Sequence, residues 1–146
     1  MINDLIKVTG ELKITVTNPE GNVKQEVVVP NLVVTTGKNL IASRLKDTTD
    51  AAMSHMAIGT GSTAAAASDT ALGNEAGRVA LTSTTVTTNS VAYVASFGAG
   101  TGTGAITEAG LLNASSSGTL LCRTVFSVIN KGAADTLGIT WTVTVS

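Results

Sequence analysis

Most residue types that carry chemistry are scarce in this chain. Its 146 residues include one cysteine, one histidine, two prolines, one Trp, one Tyr and two Phe. A lone cysteine, Cys122, excludes an internal disulfide. Its place among apolar strand positions favours a buried thiol over a reactive one. His55 has no second His or Cys at ligand spacing, which excludes an ordinary zinc site. Charged residues make up 13% of the chain, and the net charge is −1. Lys and Arg are never concentrated, so neither nucleic acid nor an anionic membrane is an expected partner. No window approaches the ~20 apolar residues of a membrane span. Met1–Lys7 combines an early acid with no long apolar run, unlike a signal peptide. The expectation is a soluble protein made in a cytoplasm.

What the chain does have is Thr, Ala, Gly and Val, the composition of a β-rich protein with small side chains. The closing stretch sets the pattern. Leu137, Ile139, Trp141, Val143 and Val145 share one parity; Gly138, Thr140, Thr142 and Thr144 share the other. A strand turns successive side chains to opposite faces, so this is one apolar and one hydroxyl face. Leu120–Ile129 reads as a second strand, with Asn130–Asp135 as the connecting loop. The two are expected to pair antiparallel in one sheet, with Phe126 and Trp141 as large core pieces.

Upstream, Glu11–Thr17 alternates and is followed by Asn18-Pro19-Glu20-Gly21, a type I turn. Val23–Val29 returns, completing a hairpin that Pro30 ends. Leu32–Val34 is a short apolar extension. One short helix is predicted near residues 37–46, capped by Thr35 or Thr36, with Leu40, Ile41, Arg44 and Leu45 on one face. His55–Gly59 reads as a strand and Thr60–Ala67 as a small-residue loop, with a single helical turn at Ser68–Leu72. Arg78–Thr88 and Val91–Phe97 read as strands around an Asn89-Ser90 turn. Gly98–Gly104 reads as a flexible hairpin tip before the strand Ile106–Asn113. The sum is one all-β domain over 1–146: an antiparallel β-sandwich or jelly roll of about eight strands, with 1–10 a candidate extended arm.

The catalytic readings fail in turn. Cys122 and His55 are the only members available for a Cys–His pair, and nothing local supports one. The loop Gly98–Gly104 lacks the Lys of a phosphate loop and precedes a strand, not a helix. Glu75 and Glu108 lie near apolar segments, but an ion pair of Arg78 or Arg123 with Glu108 is the better reading than two facing carboxylates. No calcium-loop pattern occurs. Tyr93, Phe97, Phe126 and Trp141 all fall on apolar-parity positions, which leaves few stacking platforms for sugars. The expectation is no catalytic residue, no metal and no cofactor: a building block whose surface is its function.

The order of segments from Asn31 onwards carries a resemblance. Asn31-Leu-Val-Val-Thr-Thr-Gly37 leads into the helix. Met56-Ala-Ile-Gly-Thr-Gly61, Ser68-Asp-Thr-Ala-Leu72 with Glu75 and Arg78, and Ile106-Thr-Glu-Ala-Gly-Leu-Leu-Asn113 follow. Gly118–Ser127 and Asp135–Val143 close the series. This succession resembles small virion structural proteins of tailed bacteriophages, over nearly the whole chain. Without fibre repeats or a coiled-coil stem, it is most similar to a jelly-roll capsid cement (decoration) protein. The resemblance implies a protein on the outer capsid surface, bound across major capsid protein subunits and associating with itself. A tail, baseplate or fibre component is the alternative, and a glycan-binding β module a more distant one. The places expected to dock are the N-terminal segment, with Ile2, Leu5 and Ile6, and the glycine loop, with Gly98, Gly100, Gly102 and Gly104.

Overall fold

The computed structural model describes residues 5–146. In chain order the strands are β1 (Val8–Thr17), β2 (Val23–Pro30), β3 (Leu32–Val33), β4 (His55–Gly59), β5 (Glu75–Ala80), β6 (Ser83–Thr87), β7 (Ser90–Phe97), β8 (Gly104–Leu112), β9 (Leu120–Lys131) and β10 (Thr136–Val145). One helix, α1 (Thr35–Lys46), lies between β3 and β4. The strands form two five-stranded antiparallel sheets, ordered β2-β1-β10-β7-β6 and β3-β9-β8-β4-β5. This is the all-β sandwich that the alternating pattern predicts.

The parity of the closing strand explains why β10 is central. Leu137, Ile139, Trp141 and Val143 are buried, and the strand pairs with β1 on one side and β7 on the other. Leu12, Ile14 and Val16 of β1 and Ala95 and Phe97 of β7 join them. Met56, Ile58, Ile106, Leu111 and Ile129 answer from the second sheet. Burying a side chain of this size contributes about 1.5–3 kcal/mol. Tyr93 and Phe126 pack on this core only partly buried.

The β1–β2 hairpin turns as its sequence requires. Gly21 has φ 86, and its amide donates to the Asn18 carbonyl at 3.0 Å. The Asn18 side chain accepts from the amides of Glu20 and Asn22. The strand begins earlier than the alternation suggests: Val8–Gly10, expected in an arm, are ladder residues facing Val145, Thr144 and Val143.

Further expectations are corrected, and one cause runs through the first three. Strand alternation fixes a face but not the sheet in which the partner lies. First, β9 and β10 do not pair; they lie in opposite sheets, and Gly132–Asp135 carries the chain across. Second, Arg78–Thr88 is not one strand: a break at Leu81–Thr82 sends β5 and β6 to different sheets. That split and the two-residue β3 raise the count from about eight strands to ten. Third, Gly98–Gly104 is no hairpin tip, because β7 and β8 also belong to opposite sheets. The β6–β7 turn itself is Thr88-Asn89, with Thr88 at φ 53. Fourth, Ser68–Leu72 forms no helical turn. Asp69 instead closes a turn onto Ala66 through both its amide and its carboxylate.

Helix α1 is where expected, with different ends. Val34 is the N-cap and makes no side-chain cap bond. Thr35 and Thr36 lie inside the helix, and the Thr36 hydroxyl donates to the Leu120 carbonyl at 2.9 Å. Leu40 is buried and Ile41 partly so, but Leu45 faces out. The helix meets β9 through Gly37, where a Cβ would stand 2.1 Å from the Leu121 carbonyl oxygen. Only glycine allows that approach.

Candidate functional site

Chemistry-bearing side chains converge on the outer face of the second sheet. In β4, Met56 and Ile58 point into the core, so His55, Ala57 and Gly59 point outward. In β8 and β9, Glu108 and Arg123 share that outer side, yet both are buried. What buries them is the loop between β4 and β5, residues 60–74, folded over the sheet. Its apolar footing is Leu72 packed on Ala57, Leu112, Leu120 and Val34.

Glu108 holds this loop down. One carboxylate oxygen accepts from the amides of Gly61 at 2.6 Å and Asn74 at 2.7 Å. The other accepts from the Gly73 amide at 2.7 Å and from Arg123 Nε at 3.0 Å. Arg123 continues to Asp69 at 2.8 Å and to the Thr63 carbonyl at 3.0 Å. A Cβ on Gly61 would stand 2.3 Å from the carboxylate, so the amide can approach only because the residue is glycine. Of the two ion pairs expected for Glu108, the one with Arg123 forms. Arg78 pairs with Glu75 instead, through two bonds of 2.9 and 2.7 Å, and donates to the Ala114 and Ser117 carbonyls.

The electrostatics follow from these contacts. Burial pushes the Glu108 carboxyl up, but three backbone amides and Arg123 outweigh it and hold it below the usual carboxylate range. Asp69 behaves alike: burial raises it, while the Ala66 amide and Arg123 lower it further. Burial pushes the Cys122 thiol up, out of the range of a reactive thiolate.

A second polar cluster ties the glycine crossover to the β9–β10 connection. Buried Lys131 donates to the Gly98 carbonyl at 2.8 Å, and the Gly100 amide to the Ala133 carbonyl at 2.8 Å. Asp135 accepts from Lys24 at 2.5 Å and from the Gly132 amide at 2.8 Å. Burial holds Lys131 below the usual amine range, against the pull of Asp135. Lys24 and the Gly132 amide hold Asp135 below its own.

These arrangements hold backbone in place. Among the described residues no three of His, Cys, Asp or Glu are gathered as metal ligands. Among the same residues no helix is long and apolar enough to cross a membrane. Cys122 faces the core, whereas His55 points outward and meets the Ser54 hydroxyl at 2.8 Å. The sheet separates them.

The residues expected to dock fall in two places. Ile2 lies outside the described residues. Leu5 and Ile6 are 80% and 76% exposed, and Ile6 borders a cleft with Val8, Lys38 and Ile41. Lys7 pairs with Ser146 at the end of the first sheet where β7 begins. The glycine loop follows the opposite end of β7. There Gly98 and Gly100 are exposed and Gly104 starts β8, but Gly102 is buried against Ile58. Sequence reading missed the whole loop clasp of Gly59, Gly61, Gly73 and Asn74. The available signal was a glycine pair, Gly59 and Gly61, followed by an acid at an apolar strand centre.

Acid should loosen the clasp. Both carboxyls have folded values below their unfolded ones, about 4.3 for Glu and 3.9 for Asp. Their stabilisation is therefore complete above those values and disappears as pH falls through the folded ones. Hydrogen exchange of residues 60–74 should accelerate below about pH 4, before the β1–β10 ladder opens. Uniform protection of both regions down to pH 2 would contradict this.

Compared with protein-family models, with curated proteins and with solved structures, the chain matches none of them.

Proposed function

We propose that this chain is a non-enzymatic structural protein of a tailed-bacteriophage virion. In this reading it is a capsid cement (decoration) protein on the outer head surface, binding across major capsid protein subunits and stabilising the shell. The observation that carries the reading is the separation of its two candidate docking regions. Leu5 and Ile6 adjoin one end of the first sheet, and Gly98 and Gly100 the other. The eight residues of β7 between them span roughly 25 Å at ~3.3 Å each. A clamp over a boundary needs contacts at separated ends. The buried charges suit the same role, because Glu108, Arg123, Lys131 and Asp135 all bind the chain's own loops. A clamp that binds only the expanded lattice stabilises that state by mass action, without an active site. The segment order described above supports the reading independently.

Particle fractionation tests it. The protein should remain with tailless heads, in hundreds of copies. Leu5→Ser with Ile6→Ser should leave the folded spectrum unchanged and strip the protein from heads. Recovery with tails, or full occupancy by the double variant, would overturn the assignment.

A further inference from the structure

Two sheets have four edges, and three of them are guarded. β2 carries Lys24 and Glu26 and ends in Pro30. β3 has only two residues. β5 carries Glu75 and Arg78, joined as an ion pair. Charge, proline and shortness are the usual means of keeping an edge from pairing with another chain. The fourth edge has none of them. β6 reads Ser83-Thr84-Thr85-Val86-Thr87, every residue exposed, and pairs only with β7 among the described residues. No charged residue occurs anywhere from Val79 to Thr107.

The open side of this strand is ready for a ladder. Thr87 and Ser90 flank a two-residue turn and face each other in register. Hydrogen-bonded pairs alternate along an antiparallel ladder, so the N–H and C=O groups of Thr84 and Val86 point away from β7. The side chains of the same two residues overhang a cleft of about 420 Å³ between β6–β7 and α1, with Ile41, Leu45 and Tyr93 on its walls. Leu45 is 87% exposed and Val86 71%, although they line one cleft.

We propose that β6 pairs antiparallel with β6 of a second copy about a two-fold axis at Thr85, joining two first sheets into one of ten strands. Thr84 of each copy then faces Val86 of the other, and both backbone groups of each residue gain a partner. Each Val86 lands on the cleft face of its neighbour, towards Leu45. The strand suits itself as an occupant. It is uncharged, so two identical copies meet without repulsion, and it is rich in β-branched residues that favour cross-strand pairs. β2 of a second copy would bring Lys24 and Glu26 to the same edge and, joined head to tail, would propagate without closing. The two-fold pairing closes. This inference does not depend on the role in a virion.

Light scattering on the eluted full chain should give twice the monomer mass of 14.6 kDa. Val86→Lys, at an exposed position, should give a folded monomer with the wild-type circular dichroism spectrum. Val28→Lys, on the outer face of β2, should stay dimeric. The axis predicts a second result. Thr85 would face its own copy across a non-hydrogen-bonded pair, with Cα atoms about 4.5 Å apart, within disulfide range. Thr85→Cys should therefore oxidise to a covalent dimer, and Cys122 is too deeply buried to compete. A wild-type monomer at 100-micromolar order, an open-ended polymer, a dimeric Val86→Lys protein or an uncrosslinked Thr85→Cys protein would each overturn the proposal.

Discussion

Arg123→Ala should lower the unfolding free energy by about 3–5 kcal/mol, read as a shift of the urea midpoint with an unchanged slope. The reason lies in what remains behind. Glu108 is completely buried, and among the described residues Arg123 is the one cation bonded to it. Removing the guanidinium leaves a carboxylate in the interior with only amide dipoles against its charge. It also frees Asp69 and the Thr63 carbonyl, so residues 60–74 lose one of their anchors on the sheet and keep the amide bonds to Glu108. A further substitution separates charge from geometry. In the Arg123→Ala background, Glu108→Gln removes the stranded charge and should recover part of the loss. In the wild-type background the same change breaks the pair and should destabilise. Opposite signs in the two backgrounds are a coupling that unrelated sites do not show. Replacing both residues with apolar ones of similar volume is often harmless for buried pairs. Here it would orphan the amides of Gly61, Gly73 and Asn74, so it should remain costly.

The second large effect belongs to Trp141. Truncation to Ala should cost about 3–5 kcal/mol, measured in the same way. Trp141 is fully buried on the central strand of the first sheet, opposite Leu12 on β1 and Tyr93 on β7. Both neighbours are held by ladders along their length, so the sheet cannot close over the vacancy, and the cavity persists. Among the described residues the indole nitrogen has no hydrogen-bond partner, so the loss is one of packing and not of a polar contact. Trp141→Phe should for that reason cost distinctly less than Trp141→Ala, since it discards no bond and keeps a ring in place. Equal losses for the two variants would show that the site collapses freely.

These two residues also mark what the amino-acid pattern could and could not disclose. Trp141 was legible, because Leu137 to Val145 keeps strict alternation and a buried face follows directly. The β1–β2 hairpin was legible through Asn18-Pro19-Glu20-Gly21, and β4 through its apolar run. Partnership between strands was not. β9 and β10 are separated by a short polar loop that looks like a hairpin connection, yet it crosses the sandwich. The same ambiguity hid the break at Leu81–Thr82 and the crossover at Gly98–Gly104. In each case the local pattern fits a turn within a sheet and a turn between sheets equally well. Arg123 was half legible. Its pairing with Glu108 is a natural reading of two opposite charges at apolar positions. The loop they secure is a long-range arrangement in which Gly61 and Gly73 reach a carboxylate 47 and 35 residues away. Only the fold brings them together.

The edges show the same division. Nothing in Ser83–Thr87 taken alone distinguishes an edge strand from an internal one. Once β6 is at the rim, its lack of charge becomes a property of the surface, beside the exposed Leu45 and Val86. The proposed docking residues Leu5 and Ile6 gain meaning in the same way, from their place beside the paired Lys7 and Ser146.

The most direct measurement is an image reconstruction of the intact virus particle at a resolution that separates strands. The account predicts a sandwich of two five-stranded sheets on the outside of the head, seated over boundaries between capsid subunits, with Leu5 and Ile6 against one of them. Density for this chain in the tail or baseplate, or heads whose outer surface lacks it, would contradict the account.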